Sequence, residues 1–178
     1  RSNMVKNRKS IILPNGKVLL SPTQKKSGIS ESETMVLLIN IMAHYPDLFD
    51  FNILDYDTHS GIDFVIEDKV THEPKYIELK GTLTSEMNHP FELIDQFICY
   101  NTNLFDGQIV TDNQDKNVRV DFNNVTYKSE NLDFDGKSYK SCQLIPTNPG
   151  DSIKSMRVIC LEEMCLSQIS FLNNSLTS

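Results

Sequence analysis

With 178 residues, 39% of them hydrophobic and 23% charged, the chain is sized for one domain that buries its own core without disulfides or metals as staples. No apolar run approaches the roughly 20 residues needed to cross a bilayer, so the expectation is a chain with no membrane span and no signal peptide. The formal net charge of −7 argues against tight autonomous binding to nucleic acid, because affinity for a phosphate backbone comes largely from Lys and Arg.

Residues 1–29 read as a basic lead, since Lys6, Arg8, Lys9, Lys17, Lys25 and Lys26 crowd its first 26 positions. Within it, Asn15-Gly16 between Ile11-Ile12-Leu13 and Val18-Leu19-Leu20 is a hairpin signal. The opening Arg1-Ser2-Asn3-Met4 suggests a piece of a longer polypeptide. Ser30-Glu31-Ser32-Glu33 fits the S-x-x-E capping box, and Met35, Val36, Leu38, Ile39 and Met42 follow at helical spacing until Tyr45-Pro46 stops the run. Being apolar almost all round, this helix is expected to lie against a sheet. Phe51-Asn52-Ile53-Leu54 then predicts a strand. In the following Asp55 to Ser60, the alternation of Asp55, Asp57 and His59 could align metal ligands, although a satisfied polar turn explains the same residues.

The most informative stretch comes next. Ile62-Asp63-Phe64-Val65-Ile66 and Tyr76-Ile77-Glu78-Leu79-Lys80 predict two strands of a hairpin, with Asp68 to Pro74 in the turn. If Asp63 lies opposite Glu78, then Phe64 faces Ile77 and Ile62 faces Leu79. Alternation of side chains then buries Ile62, Phe64, Ile66, Ile77 and Leu79 together and sets Asp63, Glu78 and Lys80 on the other face. Two carboxylates so close repel unless a cation separates them, which makes the pair a natural Mg²⁺ or Mn²⁺ site with oxygen ligands. A neighbouring lysine can orient a water, help deprotonate it, or offset charge on a phosphate. The competing account is a solvated hairpin face with an ordinary Glu-Lys pair.

After Lys80, Asn88-His89-Pro90-Phe91 and the residues to Asp95 could begin a short helix, with His89 able to approach a phosphate. Gln96-Phe97-Ile98-Cys99-Tyr100 reads as a buried strand with Gln96 and Tyr100 on one face. From Asp106 the signals are β: Gln108 to Thr111, Val118 to Phe122, Val125 to Lys128, Ser138 to Ile145 and Met156 to Leu161, with turns at Asp112-Asn113, Asn123-Asn124 and Asp135-Gly136. A closing helix is expected over 162–171 and a frayed tail over 172–178. Cys99, Cys142, Cys160 and Cys165 form no CxxC pair and sit mostly in apolar stretches, which points to free thiols and an intracellular setting, cytoplasmic or nuclear. Phosphate-binding glycine loops, dinucleotide fingerprints, HExxH, GxSxG and zinc spacings are all absent from the sequence.

Asp63 as a lone acid followed by Glu78-Leu79-Lys80 as an ExK element resembles the PD-(D/E)xK nuclease superfamily, with about a hundred residues around them fitting its order of helix, strands, helix, strand. The proline that precedes the acid in that superfamily is replaced by Gly61-Ile62. The resemblance implies an α/β fold, a central mixed sheet flanked by helices with added β-hairpins, over residues 30–171. It also implies that Asp63, Glu78 and the Leu79 carbonyl hold Mg²⁺ or Mn²⁺, that Lys80 positions the attacking water, and that a first-helix acid, Glu33 or Glu31, completes the metal site. For Glu33 a capping role already accounts for the residue. Gln96 and Tyr100 match the QxxxY element that exonuclease branches carry on a helix, against the strand reading above.

Scattered phrases over residues 31–165 are also similar to nuclease-type domains found after gyrase-type (GHKL) ATPase modules. The resulting expectation is a metal-dependent nuclease domain acting on DNA, with neighbouring domains of a longer chain as partners and a homodimer as one arrangement for cutting duplex. The alternative is a nuclease-like interaction or dimerisation module that no longer cuts, which the acidic balance favours.

Overall fold

The computed structural model describes residues 11–12, 18–20, 29–56, 63–122, 126–128, 138–140 and 142–162. Strands β1 (Ile11–Ile12) and β2 (Val18–Leu20) pair antiparallel, as the Asn-Gly signal predicts. Helix α1 (Glu31–His44) starts at a complete capping box. The Ser30 Oγ accepts from the Glu33 N–H at 3.1 Å, and the Glu33 carboxylate accepts from the Ser30 N–H at 3.2 Å. Two donors that the first turn would otherwise leave open are thereby satisfied. The expected all-round apolar contact is narrowed: Met35, Leu37, Leu38 and Ile41 are buried, whereas Val36 and Ile39 face outward, so one stripe alone meets the sheet.

Strands β3 (Phe51–Tyr56), β4 (Phe64–Asp68) and β5 (Pro74–Leu83) form an antiparallel meander. Phe64 lies opposite Ile77, the register expected from the apolar alternation. Phe64, Ile66, Ile77 and Leu79 are accordingly buried beneath α1 with Phe51 and Ile98, each large side chain contributing roughly 1.5–3 kcal/mol. Ile62, expected opposite Leu79, lies outside the described residues. Between Ile53 and Asp55 the β3–β4 register shifts, leaving Leu54 exposed at an irregularity that the sequence does not announce.

A crossover carrying a 3-10 turn (Phe91–Leu93) leads to β6 (Gln96–Thr102), which runs parallel to β5. The chain continues through β7 (Ile109–Thr111), β8 (Asn117–Asp121), β9 (Thr126–Lys128), β10 (Ser138–Lys140), β11 (Cys142–Pro146) and β12 (Met156–Cys160). Eight strands make one mixed sheet in the order β3-β4-β5-β6-β12-β11-β8-β7, while β9 and β10 pair as a separate antiparallel ribbon. The expected α/β architecture is present. Its flanking layers are thinner than expected, because α1 is the only helix of more than one turn among the described residues and the 3-10 crossover stands where a second was anticipated. Most of the closing helix proposed over 162–171 lies outside the described residues, as does the tail.

The two faces of the sheet carry offset cores. Under α1 the cluster centres on β4 and β5, while on the opposite face Met87, Phe91 and Ile94 of the crossover cover Phe97, Val118, Val120, Leu144, Met156 and Val158. Cys99, Cys142 and Cys160 are buried free thiols in this second core, and burial pushes the Cys142 thiol up to about 12. Cys165 lies outside the described residues. No described helix is long and apolar enough to cross a membrane.

At Gly81 the start of α1 comes so close to β5 that an added Cβ would stand 2.1 Å from the Ile29 carbonyl oxygen. That oxygen is backbone and cannot swing aside. Gly81→Ala is expected to lower stability by about 3 kcal/mol through this overlap, read as a lower urea midpoint, whereas Gly150→Ala, which meets only the Asn148 side chain at 3.5 Å, is expected to stay within about 0.5 kcal/mol of the native chain.

Candidate active site at the open edge of β5

β4 pairs with β5 no further than Phe64 opposite Ile77, yet β5 continues to Leu83. Beyond Ile77 the described residues of the β4 side form no further ladder pair with β5. Asp63, one residue before β4, meets this edge of β5 with its side chain: its Oδ2 accepts from the Leu79 N–H at 2.6 Å. Within a strand residue the N–H and C=O point to the same side, so the Leu79 carbonyl opens toward that edge while the Leu79 side chain stays in the core under α1. Glu78 and Lys80 project from the other face, beside Phe97 and Cys99 of β6.

Glu78 is only 3% exposed. Its Oε1 lies 2.7 Å from the Lys80 Nζ and 3.9 Å from the His89 Nε2. Oε2 is buried with no hydrogen-bond partner among the described residues, an uncommon condition for a native carboxylate oxygen. Lys80, its side chain 19% exposed, also reaches Glu31 Oε1 at 3.3 Å, a contact that depends on the close packing of α1 against Gly81.

Burial raises the Glu78 pKa, and the nearby Asp63 adds to the rise, against the lowering pull of Lys80. For Lys80, burial works to lower the pKa, but hydrogen bonding and attraction from Glu78, with Glu31 and Asp63, outweigh it and leave the ammonium favoured. The Lys80 shift thus reflects the carboxylates around it, whereas the Glu78 shift reflects first the burial of its own carboxyl.

The structure thus brings Asp63, Glu78 and Lys80 together, with the Leu79 backbone at the same edge. Glu33 is placed differently from the other acids: its carboxylate is engaged at the Ser30 amide, and the first-turn acid that reaches the cluster is Glu31. Asp55 sits on β3 opposite Val65, with its carboxylate accepting from the Tyr56 N–H, while Asp57 and His59 lie outside the described residues. Gln96 and Tyr100 belong to a strand, as the apolar run indicates, so the helical setting of a QxxxY element is absent; Gln96 instead accepts from Arg157. His89 joins the cluster, and the residues that hold its loop, Asp112 and Asn113, escaped the sequence reading, which marked them only as a turn.

Among the described residues, no three His, Cys, Asp or Glu side chains close around one point as a ready-made metal cage. The Asp63 and Glu78 carboxylates and the Leu79 carbonyl are nevertheless the oxygen donors that suit an ion such as Mg²⁺, which keeps several waters and takes few protein ligands. No protein-family model matches the chain, and comparison with the curated proteins and with the solved structures likewise gives no match.

A raised Glu78 pKa means that the folded state binds the proton more tightly than the unfolded one. The stabilisation is full below the unfolded value of 4.5 and is lost as pH rises through the folded value. Glu78→Gln is therefore expected to gain on the native chain as pH rises above 4.5, read in urea unfolding without divalent metal.

Proposed function

We propose that the chain is a metal-dependent nuclease domain of PD-(D/E)xK type that hydrolyses phosphodiester bonds of DNA as part of a larger protein. The observation that carries this reading is the buried Glu78 Oε2, which has no hydrogen-bond partner among the described residues, in a cluster with Asp63 and Lys80 at an edge toward which the Leu79 carbonyl also points. A purely structural Glu-Lys pair gives no reason to leave that oxygen bare, since an unmet buried polar atom costs about 1–3 kcal/mol.

Asp63, Glu78 and the Leu79 carbonyl would hold Mg²⁺ or Mn²⁺, which when bound supplies Lewis-acid polarisation of the phosphoryl group. Lys80 keeps its proton because three carboxylates face it, so it acts as a donor. From Nζ it orients the attacking water and offsets charge that builds on the phosphate. Glu78 holds Lys80 in place through Oε1, and Glu31 steadies the same ammonium from α1. Binding to DNA needs help, because the net charge of −7 repels a phosphate backbone. The basic lead, a neighbouring domain such as a GHKL-type ATPase, or a second copy in a homodimer would supply it.

A second reading has its own support. Asp63 is already engaged at the Leu79 amide, and Glu78 Oε1 at Lys80, as befits a nuclease-like module that serves interaction or dimerisation without cutting.

Plasmid cleavage with Mg²⁺ or Mn²⁺ tests the proposal. Asp63→Ala and Lys80→Ala are each expected to lower the rate at least about 100-fold, and equal activity in all three proteins would overturn it. Calorimetry separates the second reading: Mn²⁺ binding that disappears in Glu78→Ala supports a metal site, and an absence of Mn²⁺ binding in the native chain supports the non-cutting module.

A further inference from the structure

His89 stands in a loop that hydrogen bonds from Asp112 and Asn113 hold in place. Its backbone is fastened on both sides. The preceding Asn88 carbonyl accepts from Asn113 Nδ2 at 2.9 Å, and the Phe91 N–H donates to Asp112 Oδ2 at 2.8 Å. Asp112 is itself buried and immobilised by accepting from the Gln114 and Lys116 amides through its other oxygen. Pro90 follows directly, which restricts the backbone of His89 further, and Phe91 is anchored in the second core. Downstream, Asp95 closes the crossover onto β5: its carboxylate accepts from the Tyr76 N–H, and its own N–H donates to the Tyr76 carbonyl.

This clamp aims the ring at the cluster. Nε2 stands 3.9 Å from Glu78 Oε1, beyond a good hydrogen bond, and the side chain is 35% exposed where Glu78 is almost wholly buried. Lys80 and His89 thus flank the same oxygen of Glu78, and both remain more accessible than Glu78 itself. A group approaching Glu78 from solvent meets these two nitrogens first.

We propose that His89 is a substrate-contacting residue, donating a hydrogen bond from its ring to a non-bridging oxygen of the phosphodiester held beside Glu78 and Lys80. The inference rests on the nuclease reading and names its second donor. In this role His89 transfers no proton: water adds to phosphorus, the P–O bond to the leaving oxygen breaks, the proton that the water loses passes through solvent to that oxygen to give the alcohol, and the imidazole only shares its N–H with charge that builds on the phosphoryl oxygens. Its rigid loop is what makes such a donor effective, because an oriented group needs no rearrangement as the charge develops.

The test uses the full 178-residue chain, a fluorescently end-labelled DNA oligonucleotide and Mn²⁺. His89→Ala is expected to lower kcat about 100-fold with Mn²⁺ affinity and melting temperature unchanged, and His89→Gln, which restores an N–H donor of similar reach, is expected to recover at least tenfold of that loss. Native cleavage with His89→Ala equally active, while Lys80→Ala is inactive, overturns the role of His89 and leaves the nuclease reading standing. Loss of Mn²⁺ binding in His89→Ala overturns it too, by making His89 part of the metal site. A native chain that neither binds Mn²⁺ nor cleaves overturns both.

Discussion

The alignment of Phe64 with Ile77 is the constraint on which the rest of the molecule depends. Because side chains alternate along a strand, a slip of one residue would turn Ile77 and Leu79 away from α1 and drive Glu78 and Lys80 into its core. The turn between the strands fixes the alignment through Asp68, whose carboxylate accepts from the Val70 and Thr71 amides and from Lys75. Those donors, led by Lys75, hold the Asp68 carboxyl far below the ordinary carboxylate range. The lock is therefore in force at any pH above the ordinary value of 3.8 and releases only as pH falls toward the depressed one. Lys69 adds a tie to the connection between α1 and β3 by donating to the Pro46 and Phe49 carbonyls, so that connection, the turn and the strand register constrain one another.

From that register follows a site made of opposing requirements. Glu78 gains an ion pair with Lys80, yet burial of both groups opposes their charged forms, and a buried pair of this kind contributes little net stability. The offset of the two cores explains where it sits. α1 covers β4 and β5 on one side, the crossover covers β6 and its far neighbours on the other, and Glu78 occupies the seam where the second cover begins. A position at the border of a packed layer can exclude most water from a carboxylate and still leave a lysine and a histidine within reach of solvent.

How much of this was legible in the sequence depends on how local the deciding interaction is. The capping box of Ser30 and Glu33, the Asn-Gly hairpin and the apolar alternation around Phe64 and Ile77 are settled within a few residues, and each was readable. What brings Glu31 to Lys80 is the touching of α1 and β5 at Gly81, a contact between segments some fifty residues apart, and nothing near Glu31 announces it. The same holds for Asp112 and Asn113, whose composition says turn but whose outer oxygens and amide serve the His89 loop. The short helix expected over 88–95 is a single 3-10 turn, because Phe91, Leu93 and Ile94 suit longer and shorter forms alike and burial of Phe91 and Ile94 against the second core decides the length. The strand at Gln96, by contrast, was legible from its continuous apolar run, which outweighed the helical motif.

The placement of β12 bears on how the molecule is made. It is the last strand among the described residues, yet it lies in the middle of the sheet, parallel to β6 and antiparallel to β11. Until it arrives, the unit of α1 with β3 to β6 and the unit of β7, β8 and β11 each present a bare strand edge. During synthesis from the N-terminus these two half-sheets would stay apart until β12 is released, with edges that invite pairing to other chains in the interval. Pairing over so long a separation in sequence is slow to form. The second core, and with it the crossover that holds His89 over Glu78, is completed by the same late event, so the site is assembled only when the whole domain is.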